Sequence, residues 1–112
     1  MPHIVIEYYT ETDMDRRLVL ETALETAAAS GVMNRADIKV RLSRSEAILL
    51  GDGRSSFMHV TISMLAGRSD EAKLELARAM TEALRATCPC LGAISTDIRD
   101  MNPETYKKSL LT

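Results

Sequence analysis

Tryptophan is absent from this sequence, phenylalanine occurs once and tyrosine three times. A core without large aromatic anchors must be assembled from aliphatic side chains, each of which buries less surface. A chain of 112 residues also buries only a modest fraction of its surface, so association with further subunits would supply missing burial. Cysteine is scarce. Cys88 and Cys90 lie in Cys-Pro-Cys, which excludes a disulfide framework and lacks the Cys-x-x-Cys spacing of a redox or zinc site, leaving two free thiols near a helix end. No apolar run approaches the roughly 18 residues of a membrane span. The N-terminus lacks the charged stretch and apolar stretch of a signal peptide, so a cytoplasmic protein is expected. Positive charge is not in excess either. Lys+Arg number 14 against 16 Asp+Glu, a net charge of −2, so no overall positive field attracts nucleic acid or an anionic membrane. Gly51-Asp52-Gly53 is too short to be a phosphate-cradling loop, and Asp52, Ser55 and Ser56 lack the His–acid arrangement of a catalytic triad.

What is present is a pattern that occurs twice. Residues 3–9 are β-branched and aromatic, with Ile4, Ile6 and Tyr8 on one strand face. A helix is expected from about Asp13 to Ser30, capped by Thr12 or Asp13 and stopped at Gly31. Its apolar stripe is Leu20, Ala23, Leu24, Ala27 and Ala28. Residues 37–43 alternate, with Ile38, Val40 and Leu42 on one face and Lys39 and Arg41 on the other. Residues 44–56 read as a connecting loop or hairpin. The second unit follows: a strand over 57–65, a turn at Gly67-Arg68-Ser69, and a helix capped by Ser69 that must end before Pro89. Leu76, Ala77, Met80, Ala83 and Leu84 form the second stripe, and a last strand spans 93–99.

An offset of 56 superposes the halves without a gap, carrying His3 onto His59, Ile6 onto Ile62, Leu18 onto Leu74 and Ile38 onto Ile94. The shared phase of strand, helix and strand points to duplication, with halves 1–56 and 57–112 in a single domain. Each half is a βαβ unit with parallel strands. The pattern alone does not separate this arrangement from a ferredoxin-like split unit; duplication prefers each βαβ pair adjacent, so the predicted fold is α+β, βαββαβ, with a four-stranded mixed sheet in the order 2-1-3-4 and two helices on one face. The bare face would be covered by other subunits.

Pro2 follows the initiator methionine directly. Removal of Met1 would leave a proline secondary amine, a base fixed on a rigid ring at the start of a strand. An ordinary α-amino group titrates near ~7.7–8.0, and apolar surroundings and nearby cations lower that value, keeping the proton-accepting form populated at neutral pH. Arg68 sits just before a helix N-terminus, where backbone N–H groups favour an anion, and offers a bidentate fork to a carboxylate. Lys39 and Arg41 add cations on one strand face. His3 and His59 occupy equivalent positions in the two halves, but no Cys, Asp or Glu at ligand spacing accompanies them. They are expected to make structural hydrogen bonds or line a subunit contact, with no metal.

Pro2-His3-Ile4-Val5-Ile6-Glu7 resembles the mature start of the 5-carboxymethyl-2-hydroxymuconate Δ-isomerase family of the tautomerase superfamily. Phe57 to Thr61, followed by Ala66-Gly67-Arg68-Ser69, resembles that family's second strand and its turn into a helix. Asn102-Pro103 sits where the family has a similar His-Pro. The resemblance implies a cytoplasmic homotrimer acting in aromatic compound catabolism. It implies a cofactor-free proton transfer on a small carboxylate substrate, with Pro2 as base and Arg68 holding a carboxylate or polarising the 2-oxo oxygen. Lys39 stands where the family has an arginine, keeping the charge and losing the fork; Arg41 could share its task of binding substrate. Phe57 could wall the apolar side of the pocket. The loop from Gly51 to Arg54 is shorter than the family's and could shape that pocket. A non-catalytic trimeric binding module on the same fold, or a tautomerase for another keto acid, are the alternatives.

Overall fold

A computed structural model describes residues 2–111. Strand β1, His3–Tyr9, leads through helix α1, Arg16–Ala29, and a single 3-10 turn, Arg35–Asp37, to strand β2, Lys39–Arg44. A long irregular connection then reaches strand β3, Phe57–Leu65, helix α2, Asp70–Thr87, and strand β4, Ile94–Met101. The sheet order is β2-β1-β3-β4, as expected. The outer pairs β1–β2 and β3–β4 are parallel and the central pair β1–β3 is antiparallel.

Alternation along the strands decides which face is covered. Ile4, Ile6 and Tyr8 of β1 and Met58, Val60, Ile62 and Met64 of β3 point to one side and are buried there. Val19, Ala23 and Ala27 of α1 and Leu76, Met80 and Leu84 of α2 meet them in a single core. Both helices therefore lie on one face, α1 against β2 and α2 against β4, and they also pack on each other. The other face carries His3, Lys39, Arg41 and His59; among the described residues no helix or strand covers it, though Tyr106 of the C-terminal segment reaches His3.

The second unit follows its sequence closely. Ser69 Oγ accepts the Ala72 N–H at 3.1 Å, Asp70 and Glu71 occupy the first turn and Arg85 the last, each favourable to the helix dipole. The helix stops at Thr87, two residues before Pro89. The first unit departs in its details. Helix α1 begins at Arg16, and Asp15 rather than Thr12 or Asp13 is the cap, its carboxylate accepting the Leu18 N–H at 3.0 Å. This phase turns Val19 into the core, while Leu20 and Leu24 stay partly exposed beside Ile38 and Val40. Strand β2 starts at Lys39, later than residue 37, because Asn34 caps the 3-10 turn that precedes it.

Truncating the centre of the core should be costly. Ile62→Ala removes a fully buried side chain and is expected to lower unfolding free energy by about 2–5 kcal/mol. Leu74→Ala, at a 57% exposed position, should change it by no more than about 0.5 kcal/mol. Urea midpoints of the two variants check this.

Candidate active site

Pro2 is buried immediately before β1. Its carbonyl accepts the Lys39 N–H at 3.1 Å, extending the β1–β2 ladder by one step and holding the ring against the sheet. Because β1 and β3 are antiparallel and His3 faces Ser63, residue 2 comes to lie beside the end of β3 and the turn that follows. Gly67 in that turn has φ of 130°, a backbone conformation L side chains rarely adopt, and it sets up the approach of Arg68. The Arg68 Nη2 donates to the Val32 carbonyl at 2.8 Å, tying the entry of α2 to the loop that leaves α1.

These contacts frame a cavity of about 260 Å³ lined by Pro2, Arg68, Asn34, Asp37, Met33 and Met64, with Val32 and Leu65 completing its wall. Asn34 Oδ1 accepts the Ala36 N–H at 3.4 Å, so the amide nitrogen of the same side chain remains available as a donor. Among the described residues no carboxylate lies within ion-pair distance of Arg68. The cavity thus combines a buried pyrrolidine, one guanidinium, one carboxylate, one amide and an apolar wall. If the proline nitrogen is a free amine, a base and an anion-holding group face the same space. Met1, whose removal would free that nitrogen, lies outside the described residues.

Lys39 and Arg41 do not line this cavity. They lie on the open sheet face, where Lys39 pairs with His3 and Arg41 with Val5. Arg41 Nη1 donates to His3 Nδ1 at 3.0 Å. Arginine can only donate, so Nδ1 is the acceptor and the ring proton sits on Nε2, which reaches the Tyr106 hydroxyl oxygen at 3.3 Å. Burial first, and then the Arg41 guanidinium with a smaller part from Lys39, holds the His3 imidazole below its ordinary 6.5. Tyr106 is delivered by the turn at Asn102-Pro103, where the Asn102 carbonyl accepts the Thr105 and Tyr106 N–H groups, both at 3.1 Å.

Of the residues singled out in the sequence, Pro2 and Arg68 share the cavity, and Lys39 joins Pro2 through its backbone alone. Phe57 is elsewhere: it faces Tyr9 at the opposite end of the β1–β3 ladder, and in this chain it walls no part of the cavity. The loop around Gly51 is also at that far end, where Arg54 donates to the Gly92 carbonyl at 3.1 Å. His3 and His59 are on adjacent strands but face Ser63 and Glu7 respectively, and His59 Nδ1 contacts Ser95 Oγ at 2.6 Å. Among the described residues no group of three His, Cys, Asp or Glu could hold a metal ion, and no helix is long and apolar enough to cross a membrane. Asn34, Asp37 and Tyr106 were not singled out. Asn34 has a cap's residue type, but the short turn it starts has no periodicity to announce it.

The family model for 5-carboxymethyl-2-hydroxymuconate isomerase matches residues 2–111. A search of curated proteins finds no match. Solved structures agree on the fold. A 5-carboxymethyl-2-hydroxymuconate isomerase from Deinococcus radiodurans R1 superposes with a TM-score of 0.81 at 24% identity, covering 96% of this chain and 88% of that one. A protein crystallised after inactivation by 2-oxo-3-pentynoate gives 0.84 at 13% identity over 96% and 92% of the two chains. A fused wild-type 4-OT in a symmetric trimer gives 0.76 at 19% identity over 89% and 85%.

The lowered affinity of His3 for a proton has a sign. Below 6.5 the unfolded chain takes up a proton that the native imidazole still refuses, so native stability is complete above 6.5 and declines as pH falls through that value. A ring-resonance titration of His3 by NMR should show a midpoint below 6.5. In Arg41→Ala that midpoint should rise only part of the way back, since burial, the larger cause, remains.

Proposed function

This chain belongs to the 5-carboxymethyl-2-hydroxymuconate isomerase family and is an isomerase, and on that premise we propose that it moves a proton within a small unsaturated 2-hydroxy or 2-oxo carboxylic acid, with Pro2 as the general base. The observation that carries the reading is the shared cavity: the buried Pro2 and Arg68, which has no carboxylate partner among the described residues, line one space.

The reading requires removal of Met1, which turns the Pro2 nitrogen from an amide into a secondary amine. Burial of the ring and the cations Lys39 and Arg41 on the adjoining strand disfavour the protonated amine, while Asp37 in the cavity favours it. Neutral Pro2 takes a proton from the 2-hydroxyl or the acidic carbon of the bound acid. The negative charge that develops on the conjugated system is held by the Arg68 guanidinium, fixed in advance by its bond to Val32 and therefore needing no reorganisation. The protonated proline then returns the same proton at a distant carbon, and the amine is regenerated. No cofactor enters this cycle, which is pure proton transfer between positioned groups.

The acid after which the family is named is the reference substrate, and breakdown of aromatic compounds in the cytoplasm is the setting that substrate suggests. A homotrimer is part of the same reading. One sheet face of this chain is uncovered, its aromatic content is low, and a fold relative is a symmetric trimer.

Intact mass should show a species lighter by one methionine. Pro2→Ala should reduce turnover of unsaturated 2-oxo acids, followed by ultraviolet absorbance, by about 10²–10⁴-fold while the fold persists; undiminished turnover in that variant rules the base out. Sedimentation equilibrium should give three times 12.4 kDa, and a monomer mass removes the trimer.

A further inference from the structure

Asn34 lines the Pro2 cavity together with Arg68. It also caps the 3-10 turn Arg35–Asp37, with its side-chain oxygen accepting the Ala36 N–H. Only the oxygen of a carboxamide can accept an N–H, so the oxygen is committed to the turn and Nδ2, with its two hydrogens, is the end left for a ligand. The Val32 carbonyl, two residues earlier, accepts from Arg68 Nη2 at 2.8 Å. One short stretch, residues 32–34, therefore both anchors the guanidinium and carries the amide. A cationic donor and a neutral donor belong to the same part of the wall, and each is fixed by a backbone bond of its own.

A 2-oxo or 2-hydroxy acid presents two acceptors on neighbouring carbons, the C1 carboxylate and the 2-oxygen. A guanidinium edge matches a carboxylate through two parallel bonds, which leaves the 2-oxygen for a further donor. That oxygen takes up negative charge in the proton transfer. When Pro2 removes the hydroxyl proton, the O–H electron pair stays on the oxygen; when Pro2 removes a proton from the acidic carbon, the C–H pair delocalises along the conjugated chain onto it. A donor aimed there bonds the enolate more strongly than the neutral ketone or enol, and that difference lowers the barrier. Because the amide is uncharged, it does so without shifting the protonation of Pro2, and its bond to the turn sets its orientation in advance.

We propose that Asn34 is a catalytic residue, its Nδ2 donating to the 2-oxygen of the substrate as that oxygen becomes negative. The role rests on the reading of this cavity as the isomerase site. It concerns only the first two carbons of the acid, so it applies equally to the acid after which the family is named and to a simpler one. Groups of a single chain carry it, and a neighbouring subunit can add to them without removing them. Asn34 is at an exposed position, where water competes for its hydrogens. Its contribution to turnover is therefore about 10–10²-fold, below the roughly 10²–10³-fold of an enclosed donor.

Serine caps a turn as well as asparagine does but carries no amide, so Asn34→Ser separates the two roles. In that variant the melting temperature should persist. Its kcat for 5-carboxymethyl-2-hydroxymuconate, followed by ultraviolet absorbance, should fall about 10–10²-fold, with KM changed by less than about threefold. Asn34→Ala, which loses cap and amide together, should lose the same factor in kcat and also melt at a lower temperature. In both variants the pH profile of kcat should keep its midpoints. Turnover retained in Asn34→Ser and lost in Asn34→Ala makes the residue a cap alone and overturns the proposal. A loss confined to KM also overturns it, as does a displaced pH profile, which traces the loss to Pro2. No turnover of this acid by the unsubstituted mature protein overturns the role together with the reading it rests on. Turnover lost in Pro2→Ala and intact in Asn34→Ser removes the donor and leaves the base; the reverse removes the base and leaves the donor.

Discussion

In the antiparallel ladder between β1 and β3, His3 faces Ser63, Ile6 faces Val60 and Tyr9 faces Phe57. This register joins the two βαβ units, which are also held by the packing of α1 on α2 and by the long link from β2 to β3. It also fixes which side chains enter the core. Ile4, Ile6 and Tyr8 meet Ile62, Val60 and Met58 on the helix side, and a slip of one residue would turn that entire set toward solvent and bury His3 and Glu7. Since a carboxylate and an imidazole have no partners inside an aliphatic core, the alternative is costly. The same register brings the first residue of the strand to the last residues of β3, so hydrophobic pairing in the middle of the sheet is what brings Pro2 and Arg68 to one cavity, although 65 positions of sequence lie between them.

The sheet separates charge as well as polarity. On the open face Lys39 and Arg41 surround His3, and the imidazole answers by staying neutral and accepting from Arg41. At the end of the same strands, toward the helix side, the cavity contains one cation and one anion beside a buried ring. Cations across a strand act on the cavity only through field, attenuated by solvent on the open side, whereas Arg68 and Asp37 act on whatever occupies it directly. The Arg68–Val32 bond matters for this reason. It spends one guanidinium N–H on a backbone carbonyl, which fixes the fork without neutralising it.

Much of this was legible in the residues because local and global signals agreed. Ser69 caps α2 and Pro89 ends it just where side-chain chemistry demands, and the alternation of 57–65 is a strand over that same span. The order β2-β1-β3-β4 is the one that duplication of a βαβ unit prefers over a ferredoxin-like split unit, which the strand and helix pattern alone does not exclude. Two parts were not legible, for different reasons. Thr12, Asp13 and Asp15 are all competent caps, and propensity does not choose among them; packing of Val19 against the sheet does, and packing is a tertiary fact. Phe57 was associated with the site by its residue type, but its distance from Pro2 is a matter of strand direction. It begins β3 while Pro2 precedes β1, and antiparallel pairing sends those two positions to opposite ends. Asp37 reads as the first residue of a strand and is instead the last residue of a 3-10 turn, which moves its carboxylate from a sheet face to the cavity wall.

The 56-residue offset sharpens the contrast between the two ends of the molecule. It carries Val32 onto Cys88, Asn34 onto Cys90, Pro2 onto Met58, and Thr12 onto Arg68. A cavity of about 340 Å³ occupies the corresponding place at the other end of the sheet, lined among others by Thr10, Thr12, Cys88, Cys90 and Leu91. The two cavities are built by the same topology: the loop after a helix, the end of a strand and the turn into the other helix. One is lined by Pro2 and Arg68; in the other Thr12 takes the place of Arg68, and Met58, the counterpart of Pro2, is buried in β3 and outside the lining. Burial pushes the Cys88 thiol up, with Arg85 opposing, so that cysteine stays a neutral, unreactive neighbour. The second cavity is larger and has neither a candidate amine nor a guanidinium in its lining. Shape therefore does not distinguish the candidate site in this fold. The lining does: Pro2 and a guanidinium, that of Arg68, meet in one cavity, and no guanidinium lines the other.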